Sequence, residues 1–105
     1  MILSVAKDFS ETPGPRHREE GEFSGEEFLD GVLLPRFEET KAKGEILIVD
    51  LDGTEGYATS FLEAAFGGLA RKYNPAEVAK IVKFKSDDEP FLIEEIAKYM
   101  REAQR

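Results

Sequence analysis

Asp50 and Asp52 stand two residues apart at the end of an apolar run, Ile46-Leu47-Ile48-Val49, and Gly53 follows at once. Carboxylates at that spacing suit a nucleophile, an acid or base, or a cation ligand. A few residues on, Thr59 and Ser60 place two hydroxyls where a helix is about to start. Hydroxyls there either cap the helix or accept a phosphoryl group. Glu55, Gly56 and Tyr57 lie between the two sets. The chemistry-bearing stretch is therefore the turn from Asp50 to Ser60, and the rest of the chain must position it.

The elements on either side of that turn follow from pattern. Ile46 to Val49 is continuous rather than alternating, which predicts a central strand covered on both faces. Its carboxyl end is where α/β sheets hold ligands. Ser60-Phe61-Leu62-Glu63 matches a capping box and opens a helix with the stripe Leu62, Phe66, Leu69 and Tyr73. Ala64, Ala65, Gly67 and Gly68 keep that helix thin. Two glycines inside a helix cost about 1 kcal/mol each relative to alanine, so close approach to the sheet or to a partner must offset them.

Upstream, Ile2 to Phe9 reads as a first strand and Ser10 to Pro15 as a turn. Arg16-His17-Arg18 would then pair back as a second strand of a hairpin. Its charges either keep a solvated edge from aggregating or contact an anion or partner. Ser24-Gly25-Glu26-Glu27 is another capping box, opening a helix to about Lys43 with Leu29, Leu33 and Phe37 on its apolar stripe. Pro35 predicts a kink or break, and Gly44 a left-handed cap.

Downstream, Asn74-Pro75 stops the second helix, and Val78 to Phe84 reads as a strand carrying Lys80 and Lys83. Ser86 to Pro90 starts a last helix with the stripe Leu92 or Ile93, Ile96, Met100 and Ala103 and with Arg101 and Arg105 near its end. The expectation is one α/β domain over residues 1–105. Its order is β-β-α-β-α-β-α, with about four strands in a mixed sheet and three main helices.

Composition limits the function classes. The net charge of −8 repels phosphate backbones and anionic membranes and favours a basic protein partner. The chain has no cysteine and one histidine, so thiolate and His-rich metal centres are excluded. No apolar run approaches the roughly 20 residues of a membrane span, and the first residues lack a secretion signal, so a cytoplasmic location is expected.

Two resemblances give the turn a chemistry. Ser24 to Pro35 (SGEEFLDGVLLP), Ile48 to Leu69 (IVDLDGTEGYATSFLEAAFGGL) and the lead-in GPRHREEGEF together resemble the bacterial STAS-like domain family of unknown function. That resemblance implies a STAS-type fold, as in anti-sigma factor antagonists. Those proteins are not enzymes: they bind a kinase-like ATPase or an anti-sigma factor and are phosphorylated where the helix after the central strand begins. The matching residues here are Thr59 and Ser60, although Ala58 and Phe61 replace the Asp and Gly of the antagonists' Asp-Ser-Ser-Gly pattern. The implied protein is a cofactor-free interaction module, a monomer or weak dimer, with Asp50, Asp52, Gly53, Glu55, Gly56 and Tyr57 on its contact surface.

The second resemblance is of Asp50 to Thr54 to the nucleophile motif of haloacid-dehalogenase phosphatases. It implies that Asp50 attacks phosphorus and Asp52 acts as acid/base around a magnesium ion. Lys80 or Lys83 would be the lysine, and Asp87 and Asp88 the distal acids. That superfamily carries a longer core and a flap after the motif, whereas here the motif runs almost directly into a helix.

Overall fold

The chain is described by a computed structural model over residues 1–103. Three short strands, β1 (Ile2–Ser4), β2 (Leu47–Asp50) and β3 (Val82–Lys85), form a parallel sheet in the order β1-β2-β3. Ile2 pairs with Ile48, and Ile48 with Lys83, which fixes the register. The fold is α/β as expected, but with three strands rather than four, and parallel rather than mixed.

The missing strand is the hairpin partner. β1 ends at Ser4 because its hydroxyl accepts from the Lys7 N–H at 3.2 Å while the Asp8 carboxylate accepts from the Ser4 N–H at 2.9 Å. That reciprocal cap makes Val5–Asp8 a single helical turn, α1. The Arg16-His17-Arg18 segment is no strand: Arg18–Glu20 is a 3-10 turn. Residues 14–16 instead clasp the next helix, with the Gly25 and Glu26 N–H groups donating to the Pro15 and Arg16 carbonyls.

That helix, α2, spans residues 25–43. Ser24 caps it, accepting from the Glu27 N–H at 3.0 Å, and Gly44 ends it at φ +67°. Pro35 neither breaks nor stops α2. Leu29–Leu33 widens into a π turn, in which the Leu34 N–H reaches back to the Leu29 carbonyl. The wider turn accommodates a proline that has no N–H for the carbonyl four residues earlier.

Helix α3 spans residues 59–73 and contains a second π turn, Glu63–Gly67. Asn74, at φ +109°, ends α3, and its side chain accepts from the Glu77 N–H at 2.8 Å to cap α4, Pro75–Ile81. The expected strand from Val78 is therefore helical as far as Ile81. Asn-Pro-Ala-Glu is a helix start as much as a helix stop. Helix α5, Phe91–Glu102, completes the fold; Arg105, expected at its end, lies outside the described residues.

The strand order never reverses. Two right-handed crossovers in one direction put all their helices on one face of the sheet. Burial follows suit: Leu3, Leu47 and Val49 are fully buried, whereas Ile2 is 65% and Ile48 37% exposed. The apolar run of β2 thus has one covered face and one open face, not two covered ones.

Helix α3 is the central helix. Phe61, Leu62 and every residue from Ala64 to Ala70 are buried. Its glycines serve close approach between helices. A Cβ on Gly68 would lie 2.6 Å from a Leu29 methyl, and one on Gly25 of α2 would lie 2.7 Å from the Phe61 carbonyl oxygen. Phe66 reaches the sheet through Phe84, ring centres 5.3 Å apart. Among the described residues no helix is long and apolar enough to cross a membrane.

Candidate functional site

The carboxyl ends of β2 and β3 place Asp50 in register with Lys85. Asp50 turns back on its own chain, its Oδ1 accepting from the Asp52 N–H at 3.0 Å. Asp52 faces the loop after β3. Its carboxylate accepts from the Asp88 N–H at 2.9 Å, the Asp87 N–H at 3.1 Å and Lys85 Nζ at 2.7 Å. Gly53, at φ +90°, donates its N–H to the Asp88 carboxylate. The two loops at the sheet's rim are laced together through Asp52.

Those bonds fix the ionisation of the pair. The backbone N–H of Asp88, then Lys85, hold Asp52 down from 3.8 to about 2. The bond to Asp52, then that to Asp87, push Lys85 above the usual lysine range. A carboxyl so strongly acidic has no proton to give near neutral pH, which weighs against Asp52 as a general acid.

The lysine of this rim is Lys85, not Lys80 or Lys83. Lys83 Nζ donates to the Ala79 carbonyl, and Lys80 lines a shallow cleft on α4. Asp87 and Asp88 do arrive at the turn, chiefly through their backbone N–H groups. No group of three or more His, Asp or Glu side chains is arranged to hold a metal ion among the described residues. Lys85 was legible in principle: it sits at the end of a strand, next to the acidic loop.

The acid dependence follows from the sign of the shift. The folded pKa of Asp52 lies below its unfolded value, so its contribution to stability is present above about pH 4. It is lost as pH falls toward about 2. Unfolding curves for the native protein and Asp52→Asn should differ at pH 5 and converge between pH 4 and 2. A gap constant across that window would contradict the assignment.

The middle of the turn is held from beneath. Tyr57 donates its hydroxyl proton to the Leu51 carbonyl at 2.8 Å, and its ring packs against Phe61 at 5.9 Å. Burial raises its phenol above the usual tyrosine range. The Glu55 N–H donates to the Glu11 carbonyl, and Gly56 takes φ +133°. Gly53, Glu55, Ala58 and Thr59 are exposed; Asp52, Gly56, Tyr57 and Ser60 are half-buried.

The capping box at Ser60 does not form. Helix α3 starts two residues earlier than that box implies: Ala58 occupies the N-cap, and no side chain caps it. Glu63, expected to reach back, goes elsewhere: its carboxylate accepts from Arg16 Nη1 and, at 2.8 Å, from Arg71 Nη1. Burial works to raise the Glu63 carboxyl, but Arg71 and Arg16 outweigh it and hold it below the ordinary range. Arg16 thereby ties the lead-in to the central helix, a contact over 47 positions that no local pattern announces.

The same segment builds a second concavity. A cleft of about 260 Å³ lies between α2 and α3, with Arg16, His17, Leu29, Asp30, Ala64 and Arg71 among its walls. His17 Nδ1 lies 3.2 Å from Glu26, and Arg18 Nη1 3.0 Å from Asp30.

The model of the STAS-like domain of unknown function matches residues 24–91, well over half of the chain. The chain belongs to that family. The match begins at Ser24, ten residues after the Gly14 at which the likeness was expected to start, and it includes the whole Asp50 to Ser60 turn. No curated protein and no solved structure matches the chain. The fold is thus STAS-like α/β, with the Thr59 and Ser60 hydroxyls at the start of its central helix.

Proposed function

We propose that this STAS-like domain is a non-catalytic regulatory module of the cytoplasm. A partner protein recognises it at the 53–60 loop, and phosphorylation at the head of α3 switches that recognition. The exposure of Thr59 on an uncapped helix start carries the reading. A kinase-like ATPase would transfer the terminal phosphoryl group of ATP to the Thr59 oxygen, releasing ADP and the hydroxyl proton, and an anti-sigma-like factor is the corresponding binding partner. The phosphate would add nearly two negative charges where free N–H groups and the helix dipole favour them.

Two further features support this surface. The 53–60 loop is presented on a rim braced by Asp52, so a partner meets a shaped surface with little ordering cost. Residues Ala64 to Ala70 of the helix behind it are buried, which confines the contact to the loop and the helix's first turn. Ser60 is half-buried, so Thr59 is the more accessible of the two hydroxyls.

Affinity capture from the native cell tests the reading. The unmodified chain should retain a specific partner, Thr59→Ala should retain it too, and Thr59→Glu should lose most of it. Ser60→Asp should weaken capture less. Capture that ignores Thr59→Glu, together with no phosphate on Thr59 by mass spectrometry, would sink the proposal.

A further inference from the structure

The cleft between α2 and α3 shares no residue with the 53–60 loop, and both π turns of the described chain contribute to it. Leu29 and Asp30 belong to the first π turn and Ala64 to the second. Single π turns concentrate at functional sites. Pro35 accounts for the first. The second contains no proline, yet it has a definite geometric effect. Glu63 and Arg71, eight residues apart, would sit about 80° apart round an unbroken α-helix at 3.6 residues per turn. The extra residue taken up by a π turn brings them to within about 20°. The second π turn therefore aligns Arg71 with Glu63, and with it the wall of the cleft.

The charges divide between two walls. On one, Arg16 and Arg71 share the single carboxylate of Glu63, which leaves one unit of positive charge. Arg16 and Arg71 line the cleft, and both guanidinium groups are held by Glu63. Each uses Nη1 on Glu63, and among the described residues their Nη2 and Nε groups donate no hydrogen bond. On the other wall stand Glu26 and Asp30, with Arg18 as their one permanent cation, which leaves one unit of negative charge. Asp30 gives Oδ2 to Arg18, and its Oδ1 accepts no hydrogen bond among the described residues. Leu29, Ala64 and Gly68 supply the apolar part of the lining.

We propose that this cleft binds a small zwitterion, with an oxyanion (carboxylate or phosphoryl) on the Arg16–Arg71 wall and an ammonium group on the Glu26–Asp30 wall. A guanidinium fork suits either oxyanion, and a carboxylate suits the ammonium. At about 260 Å³ the cleft admits a molecule of a few heavy atoms, smaller than a nucleotide cofactor.

The test is titration of the full chain, followed by the amide resonances of Leu29, Ala64, Gly68 and Arg71. The probes are ω-amino acids of increasing length, O-phosphoethanolamine, and the single-charge controls acetate, phosphate and ethylamine. At least one zwitterion should saturate these shifts and bind about tenfold or more tightly than any control. The tighter of the amino acid and phosphoamine arms identifies the oxyanion. Arg71→Gln and Asp30→Asn, each shown to be folded by its thermal transition, should each weaken binding by about tenfold, the scale of one charged hydrogen bond. Single-charge probes that bind as well as the zwitterions would overturn the proposal. Unchanged affinity in both variants, or no saturable shift, would overturn it equally.

Discussion

Phe28→Ala should lower the stability of the domain by about 3–5 kcal/mol, the range for removing a fully enclosed aromatic ring. Phe28 has no exposed surface. Its ring lies 5.1 Å from that of Phe9, 5.7 Å from Phe61 and 6.1 Å from Phe66. It is the shared neighbour of the segment after α1, the helix α2 that bears it, and both the first turn and the middle of α3. Truncation leaves a cavity that these elements cannot close together, because α2 and α3 already touch at Gly25 and Gly68. At about 4 °C per kcal/mol for a domain of this size, the melting temperature should fall by roughly 12 °C or more. Phe28→Leu, which keeps most of the volume, should cost far less. Thermal or denaturant unfolding decides it; a loss under about 1 kcal/mol for the alanine variant would mean that the aromatic cluster is not the core.

The parts of this fold that were legible in the sequence are those fixed by a few adjacent residues. Ser24 caps α2, Gly44 ends it in the left-handed region, and the run from Leu47 to Asp50 is the central strand. The parts misread depend on residues far away. Arg16-His17-Arg18 looked like an edge strand because a turn precedes it and its charges suit a solvated edge, both local signals, whereas its place is set by Glu63, Glu26 and Asp30 on two helices. The box at Ser60 looked complete because Glu63 has the right spacing; two arginines hold that carboxylate instead. The continuous apolar run of β2 suggested two covered faces. An unreversed strand order leaves one open, and order cannot be seen from within a strand. At the rim, Asp52 was recognised as a site residue but not its partner Lys85, because the pairing joins two strand ends 33 positions apart.

The same exchange, glycine to alanine, should have opposite signs at two positions of α2. At Gly25 a methyl group would stand 2.7 Å from the Phe61 carbonyl oxygen and 2.8 Å from the Ala64 Cβ. Neither obstacle is the far end of a flexible side chain, so the helices themselves must part. Overpacking of that kind costs about 1–3 kcal/mol. At Gly31 nothing lies within 4 Å of the added methyl and the site is exposed, so only the loss of freedom in the unfolded chain remains. Gly31→Ala should therefore stabilise by about 0.4–1 kcal/mol. The contrast isolates close approach from helix propensity, because propensity alone favours alanine at both positions. The close approach also reaches the cleft. The Gly25 N–H donates to the Pro15 carbonyl, next to Arg16, and Ala64 is one of the cleft's own lining residues. Parting α2 from α3 at Gly25 should displace Arg16 from Glu63, so Gly25→Ala should disturb the Arg16 side-chain resonances as well as stability. Equal and favourable effects at both glycines would show that the helices have room to spare at Gly25.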